Sequence, residues 1–219
     1  MPAERALQLA EKLTAKLPVG GAGLFHPWRE QCPFDAEGSG PDGRIARLAS
    51  HLDCEPRLIL VGEACGYQGC RYSGIPFTSE RLLLEGAIPR MAPVKARLSL
   101  RAKPFSEPSA TIVWKSLYRL GLAGDTILWN ALPLHPHRVE TPWSNRTPTD
   151  VELAVGAEAL KLLRQAFAEA VIVAVGRKAE ASLQRLGLQC DGAVRHPANG
   201  GATAFFQGLS QLAGAGLRS

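Results

Sequence analysis

Apolar and polar positions along the chain follow two periods in turn. Residues 3–17 carry Leu7, Leu9, Leu13 and Leu17 among charged neighbours, a pattern that predicts an amphipathic helix. Residues 57–61 (RLILV), 126–129 and 171–175 (VIVAV) are short apolar runs that predict buried strands. They end at Gly62, Asn130 and Gly176, and a fourth strand over 188–195 ends at His196. Helices are expected over 44–52, 79–86, 109–121, 149–170, 178–186 and 199–212. Ser79 is a possible cap for the second of these, and Thr149 with Glu152 forms a capping box for the fourth. Residues 18–43 are rich in Gly and Pro yet hold Phe25, Trp28 and Phe34. They read as an ordered loop with buried aromatics rather than a linker. Strands separated by helices predict a three-layer α/β/α sandwich around a central four-stranded, mainly parallel sheet. Without repeats or low-complexity tracts, residues 1–219 read as one domain.

Composition narrows the setting. Apolar residues make up 46 % of the 219, but no run reaches the roughly 18 residues that span a bilayer. Glu4 and Glu11 interrupt the N-terminal segment where a secretory signal needs an apolar core, so a cytoplasmic protein is expected. The cysteines (Cys32, Cys54, Cys65, Cys70 and Cys190) are odd in number and form no CxxC pair. That favours free thiols over a zinc or redox site. A net charge of +5 suits a polyanionic partner, though solubility alone explains it equally well. The acid-free stretch 86–106, with Arg90, Lys95, Arg97, Arg101 and Lys103, reads equally as a solvated surface or a phosphate-contacting one.

Open α/β sheets bind ligands beyond the carboxyl ends of their strands. Two of the four expected ends carry groups that could do chemistry, Asn130 with His135 and His137, and His196 with Asn199, and Glu63 sits just after the first strand. The loop 62–80 is dense in glycine, which allows close backbone approach to a ligand, and Phe77 near its end offers a ring to stack on a flat base. No GxGxxG, P-loop or GxSxG is present, so neither nucleotide-dependent chemistry nor an α/β-hydrolase is favoured.

Four ordered blocks then carry a resemblance. VGEACGYQGCRYSGIPFTSE resembles the first active-site motif of the uracil-DNA glycosylase superfamily, close to the GEAPG of its thermophile-type branch. Its Gly74-Ile75-Pro76-Phe77 ending is similar to the single-strand-selective branch. WNALPLHPHRVETPWSNRTPTDVE is similar to the thermophile-type middle segment, VIVAVGRKAEASL to the third strand and helix, and VRHPANGG to the second active-site motif. The resemblance implies a monofunctional glycosylase that hydrolyses the bond between uracil and deoxyribose in DNA, a base-excision-repair activity leaving an abasic site. Glu63 and His196 would be catalytic. Gly62, Ala64, Phe77 and Asn130 would hold the base, and Arg71, Ser79, Arg146, Arg177 and Asn199 would contact DNA. Uracil-containing DNA, abasic product and free uracil are the implied partners, with no membrane, no metal and a monomeric chain. The thermophile-type branch holds an iron–sulfur cluster on four cysteines. Leu134 and Gly156 stand where two would fall and the N-terminal pair is missing, so no cofactor is expected. Cys65 replaces a proline and is a candidate for oxidation. No large apolar residue follows His196-Pro197, so flipping would rely on another loop, such as 138–143, or favour unpaired substrates. Two alternatives stay open: an abasic-site or single-stranded DNA binder with little turnover, and a glycosylase for hypoxanthine or xanthine.

Overall fold

The computed structural model describes residues 3–188 and 190–216. Its strands are β1 (Leu24–Phe25), β2 (Leu58–Ala64), β3 (Thr126–Leu132), β4 (His135–Pro136), β5 (Val171–Val175) and β6 (Gly192–Val194). Its helices are α1 (Ala3–Ala15), α2 (Pro41–Leu52), α3 (Cys70–Ser73), α4 (Glu80–Leu84), α5 (Pro108–Arg119), α6 (Asp150–Ala154), α7 (Ala157–Ala166), α8 (Arg177–Arg185) and α9 (Ala202–Gly216).

The central sheet has the order β3-β2-β5-β6, and every neighbouring pair is parallel. Alternation along each strand divides the core in two. Ile59, Val61, Ile127, Trp129, Ile172 and Ala174 face a cluster supplied by α1, α2, α7 and α8. Leu58, Leu60, Leu128, Val173, Val175 and Val194 face the other, with Leu82 and Leu83 of α4, Val113 and Trp114 of α5, and Phe205 and Leu209 of α9. The result is the expected three-layer α/β/α sandwich. Strand β3 lies at one edge, and part of its open side is covered by a histidine: His51 Nε2 accepts from Leu128 N–H at 2.8 Å. Burial and nearby Arg90 hold the His51 pKa well below its ordinary value, which preserves that acceptor.

Three expectations change. The helix expected over 149–170 is two helices, because Gly156 sits against the end of β3. A Cβ there would fall 1.8 Å from the Ala131 carbonyl oxygen, so the chain turns at this contact before α7 begins. The capping box at Thr149 and Glu152 is present as read. The last strand is Gly192–Val194, shorter than 188–195, and residue 189 of that expected span lies outside the described residues. In the loop 18–43, Phe25 and Trp28 are buried, Trp28 stacking on Trp129 at 6.0 Å, whereas Phe34 is 45 % exposed.

The basic stretch 86–106 is mostly engaged with the protein itself. Arg90 donates to the carbonyls of His51 (2.8 Å) and Thr126 (3.1 Å), and Arg101 lies over the Phe105 ring. Arg97 Nε pairs with fully buried Glu80 at 2.7 Å. Glu80 also accepts from the N–H groups of Leu98, Ser99 and Phe105 and from the Ser99 hydroxyl. Burial works against its charge, but the bonds from Arg97, Phe105, Ser99 and Leu98 outweigh it and hold the carboxyl below its usual value. Glu80→Ala is therefore expected to lower unfolding free energy by about 3 kcal/mol in urea titration, since several buried donors lose their acceptor. The depressed folded pKa makes this contribution complete above the ordinary carboxylate range and lost as pH falls through the folded value.

Candidate active site

The chain leaves β2 for β3 on one side and later adds β5 on the other, so the order reverses around β2 and a crevice opens at the strand ends. A cavity of about 180 Å³ occupies it, lined among others by Glu63, Ala64, Phe77, Asn130 and His196. The sequence assigned these five to catalysis or base binding, and the fold brings them together. Gly62 lies beneath them. Strand register sets it beside Asn130, and a Cβ there would fall 2.6 Å from both the Asn130 amide and the Phe77 ring. Gly62→Ala is expected to displace both groups and to lower turnover at this cavity by about 10²-fold in single-turnover assays, the usual effect of an ångström-scale misplacement.

Asn130 is 3 % exposed. With its amide oriented to satisfy its neighbours, Nδ2 donates to Trp129 C=O and Oδ1 accepts from Cys65 N–H, both at 3.2 Å. One N–H and one lone pair of the amide remain for a ligand. Phe77 holds a left-handed backbone (φ 49°), as does Asn199 (φ 52°). Strain of this kind in non-glycine residues concentrates at functional sites. The Phe77 and His196 ring centroids are 6.1 Å apart.

His196 Nδ1 accepts from Ala198 N–H at 3.1 Å. In the neutral ring that bond puts the proton on Nε2, making it a donor. Burial, then nearby Arg195, lowers the pKa of the ring, so it is neutral at ordinary pH. The preceding Gly176 (φ +91°) leaves room for this side chain: its Cβ position is 3.1 Å from His196 Cβ. Glu63 borders the cavity and an adjoining groove. Lys178 Nζ lies 3.3 Å from its Oε1 as an ion pair, without hydrogen-bond alignment.

The residues assigned to DNA contact divide. Arg177 and Asn199 are exposed along the groove of about 710 Å³, together with Lys178 and Arg195. Arg71 is not available for phosphate: it is 4 % exposed, donates to His135 Nδ1 at 2.8 Å and lies 3.7 Å over the Phe25 ring. Ser79 is fully buried, neither capping α4 nor reaching the surface. Arg146 lines the cavity, but its guanidinium is committed to Glu152 in a two-point pair (2.7 and 2.5 Å). His135 is buried between Arg71 and Ser144, and burial, then Arg71, lowers its pKa to about 3. Cys65 is also corrected as an oxidation candidate. Burial and the neighbouring Cys70 hold its thiol well above the ordinary value, which suppresses the reactive thiolate.

Two lining residues escaped the sequence reading. Asn145 accepts from Tyr67 N–H at 2.9 Å and so ties the segment 138–149 to the first loop. Glu107, just before α5, turns its carboxyl into the cavity, and burial pushes it up to about 7. A lone Glu before a proline gives no sequence signal of such a role. Among the described residues, no cluster of His, Cys, Asp and Glu is arranged to hold a metal ion.

The comparisons agree with this geometry. No curated protein matches the sequence. The crystal structure of wild-type SMUG2 from Pedobacter heparinus matches with a TM-score of 0.68 at 16 % identity, covering 99 % of this chain and 98 % of that one. The family model described as UDG, uracil DNA glycosylase superfamily, matches residues 49–208, well over half of the sequence and the whole of the cavity wall. The chain therefore belongs to the uracil-DNA glycosylase superfamily and is a DNA glycosylase acting on DNA.

Proposed function

We propose that the base it removes is uracil. The observation that carries this reading is the convergence of Asn130, Phe77 and the Nε2–H of His196 on one cavity at the strand ends. A base reaches such a cavity only after leaving its stack, at about a few kcal/mol, less for a mismatched or unpaired nucleotide. Phe77 then stacks on the flipped ring. The free N–H of Asn130 donates to O4 and its lone pair accepts from N3–H. Cytosine presents the reverse pattern and leaves both groups unpaired.

The C1′–N1 bond breaks with its electron pair passing to uracil, so negative charge gathers at O2 and positive charge on the sugar. The Nε2–H of His196 donates to that oxygen. Glu63, held near Lys178, faces the cationic sugar and orients the water whose oxygen bonds to C1′. That water loses a proton to solvent as the abasic sugar forms. Arg177, Lys178, Arg195 and Asn199 line the groove for the backbone phosphates. Trp143 (55 % exposed) and Val139, on the segment 138–143, supply apolar groups for opening a duplex.

Incubation with single-uracil oligonucleotides, single-stranded and paired with guanine, followed by hot alkali, tests the reading. Strand scission at uracil is the expected result. Scission at hypoxanthine or xanthine without scission at uracil would overturn it, as would tight abasic-DNA binding without turnover.

A further inference from the structure

Phe34 and Trp143 are large aromatic side chains left about half exposed, and neither lines the base cavity. Together with Pro33, Tyr67 and Pro142 they border a separate cleft of about 120 Å³, of the same order as the base cavity. The three aromatic rings come from three stretches of chain: the N-terminal loop, the first active-site loop and the segment 138–143. The cleft offers ring faces and almost no polar surface. One of its walls is fixed before any ligand arrives. The Tyr67 ring packs edge-on against Phe105 at 5.1 Å and against Tyr72 at 5.8 Å, so little side-chain freedom is left to lose on binding. Exposed apolar surface gathered into one concave place is the mark of an interaction site rather than of scattered surface residues.

Its position indicates the occupant. Gly66 lines the base cavity and the next residue, Tyr67, lines the cleft; on the other wall Asn145 lines the cavity and Trp143 the cleft. The bond from Tyr67 N–H to Asn145 Oδ1 ties these two walls together, so the cleft continues the surface that acts on DNA. Next to Phe34 runs a second strand of backbone, where Leu100 N–H donates to Phe34 C=O at 2.9 Å. Arg101 and Lys103 follow it, both exposed, and Arg101 lies 4.3 Å over the Phe105 ring that supports Tyr67. Aromatic faces beside cations are the combination that binds unpaired nucleic acid: bases stack on the rings and phosphates meet the charges. We propose that this cleft is a second base-binding subsite, taking by stacking an unpaired nucleobase of the DNA strand close to the nucleotide that enters the base cavity. The inference goes beyond the uracil reading and does not depend on which base is removed. A base held there is kept out of its own stack, and single-stranded DNA fills both sites at least cost because nothing has to be unpaired. Every base has a ring face, so the subsite tolerates any sequence.

The test measures binding of the full-length protein to single-stranded oligonucleotides by fluorescence anisotropy. The central sugar is a tetrahydrofuran, an abasic-site analogue, so no turnover occurs and no duplex has to be opened. In a second series one further base is deleted, in turn, from each of the two nucleotides on either side. Deleting the base at one of these positions is expected to weaken parental binding by about 5- to 150-fold, the range of one base stacked on an aromatic group. Phe34→Ala and Trp143→Ala should each weaken binding of the fully based strand and lose the sensitivity to that one position. Trp143→Phe, which keeps a ring, should retain the sensitivity and keeps the test open should an alanine variant fold poorly. A parent that does not bind these strands, or that binds them equally wherever the base is missing, overturns the proposal. So does a loss in the alanine variants that is the same with and without the neighbouring base, which would mark the rings as structural. Variants that bind every strand as the parent does also overturn it, and would leave the cleft to an apolar segment of a protein partner. Failure to excise uracil leaves the proposal untouched, because the probe strands contain no base to remove at the centre.

Discussion

Asn130→Asp is expected to lower uracil excision by about 10⁴-fold while the protein stays folded. The magnitude follows from how buried polar sites discriminate: a pocket built to pair with particular donors and acceptors rejects a mismatch by about 10⁴ or more, because groups on both sides lose their partners. The side chain is almost wholly enclosed, and its amide is already fixed by Cys65 N–H and Trp129 C=O. On the proposed reading, only the remaining N–H and lone pair are left to meet the base. A carboxylate at this position keeps the acceptor to Cys65 but cannot donate to uracil O4. It also loses the donor to Trp129, worth about 1 kcal/mol of stability. Single-turnover excision, with circular dichroism melting of the same preparation, separates the two effects. A variant with near-parental rates would remove Asn130 from the base pocket.

His196→Ala is the second large effect, a fall of about 10²- to 10³-fold in the cleavage step with uracil-DNA affinity much less changed. Removing one donor aimed at developing negative charge has this size. The tautomer argument adds a pH signature. The ring acts as a neutral donor only while Nδ1 accepts from Ala198 N–H, and burial with Arg195 keeps its pKa below the ordinary histidine value. Protonation of Nδ1 would break that bond. Single-turnover rates are therefore expected to be level across neutral pH and to fall only on the acid side of the ordinary value. A parent whose rate rises as pH drops through 6.5 would mean that the imidazolium is the working form.

The strand ends were the most legible part of the sequence. Runs such as VIVAV are too short and too apolar for anything but buried strands, and Glu63, Asn130 and His196 follow directly from where such runs stop. Lone charged residues were the least legible. Arg71 and Arg177 look alike in sequence, yet one is enclosed by Phe25 and His135 and the other lies open on a groove. That difference is set by the short β1–β4 pair, which joins segments more than a hundred residues apart and leaves no periodic trace. The break at Gly156 is similar in kind, because only the Ala131 carbonyl explains it. Glu107 reaches the cavity across the same sort of distance, from a position just before the helix expected over 109–121.

Arg71 has a wider consequence. Its guanidinium joins α3, within the first loop, to Phe25 of the N-terminal ribbon, to Cys32 and to His135 of the middle segment. Three stretches of chain with separate histories thus meet on one cation. They should open to solvent together, as one cooperative unit with a shared hydrogen-exchange free energy, rather than as three independent loops. A substitution in the ribbon around residue 25 is therefore expected to disturb α3 and the loop that follows β2. Grafting the first loop onto another sheet would then fail unless the ribbon travelled with it.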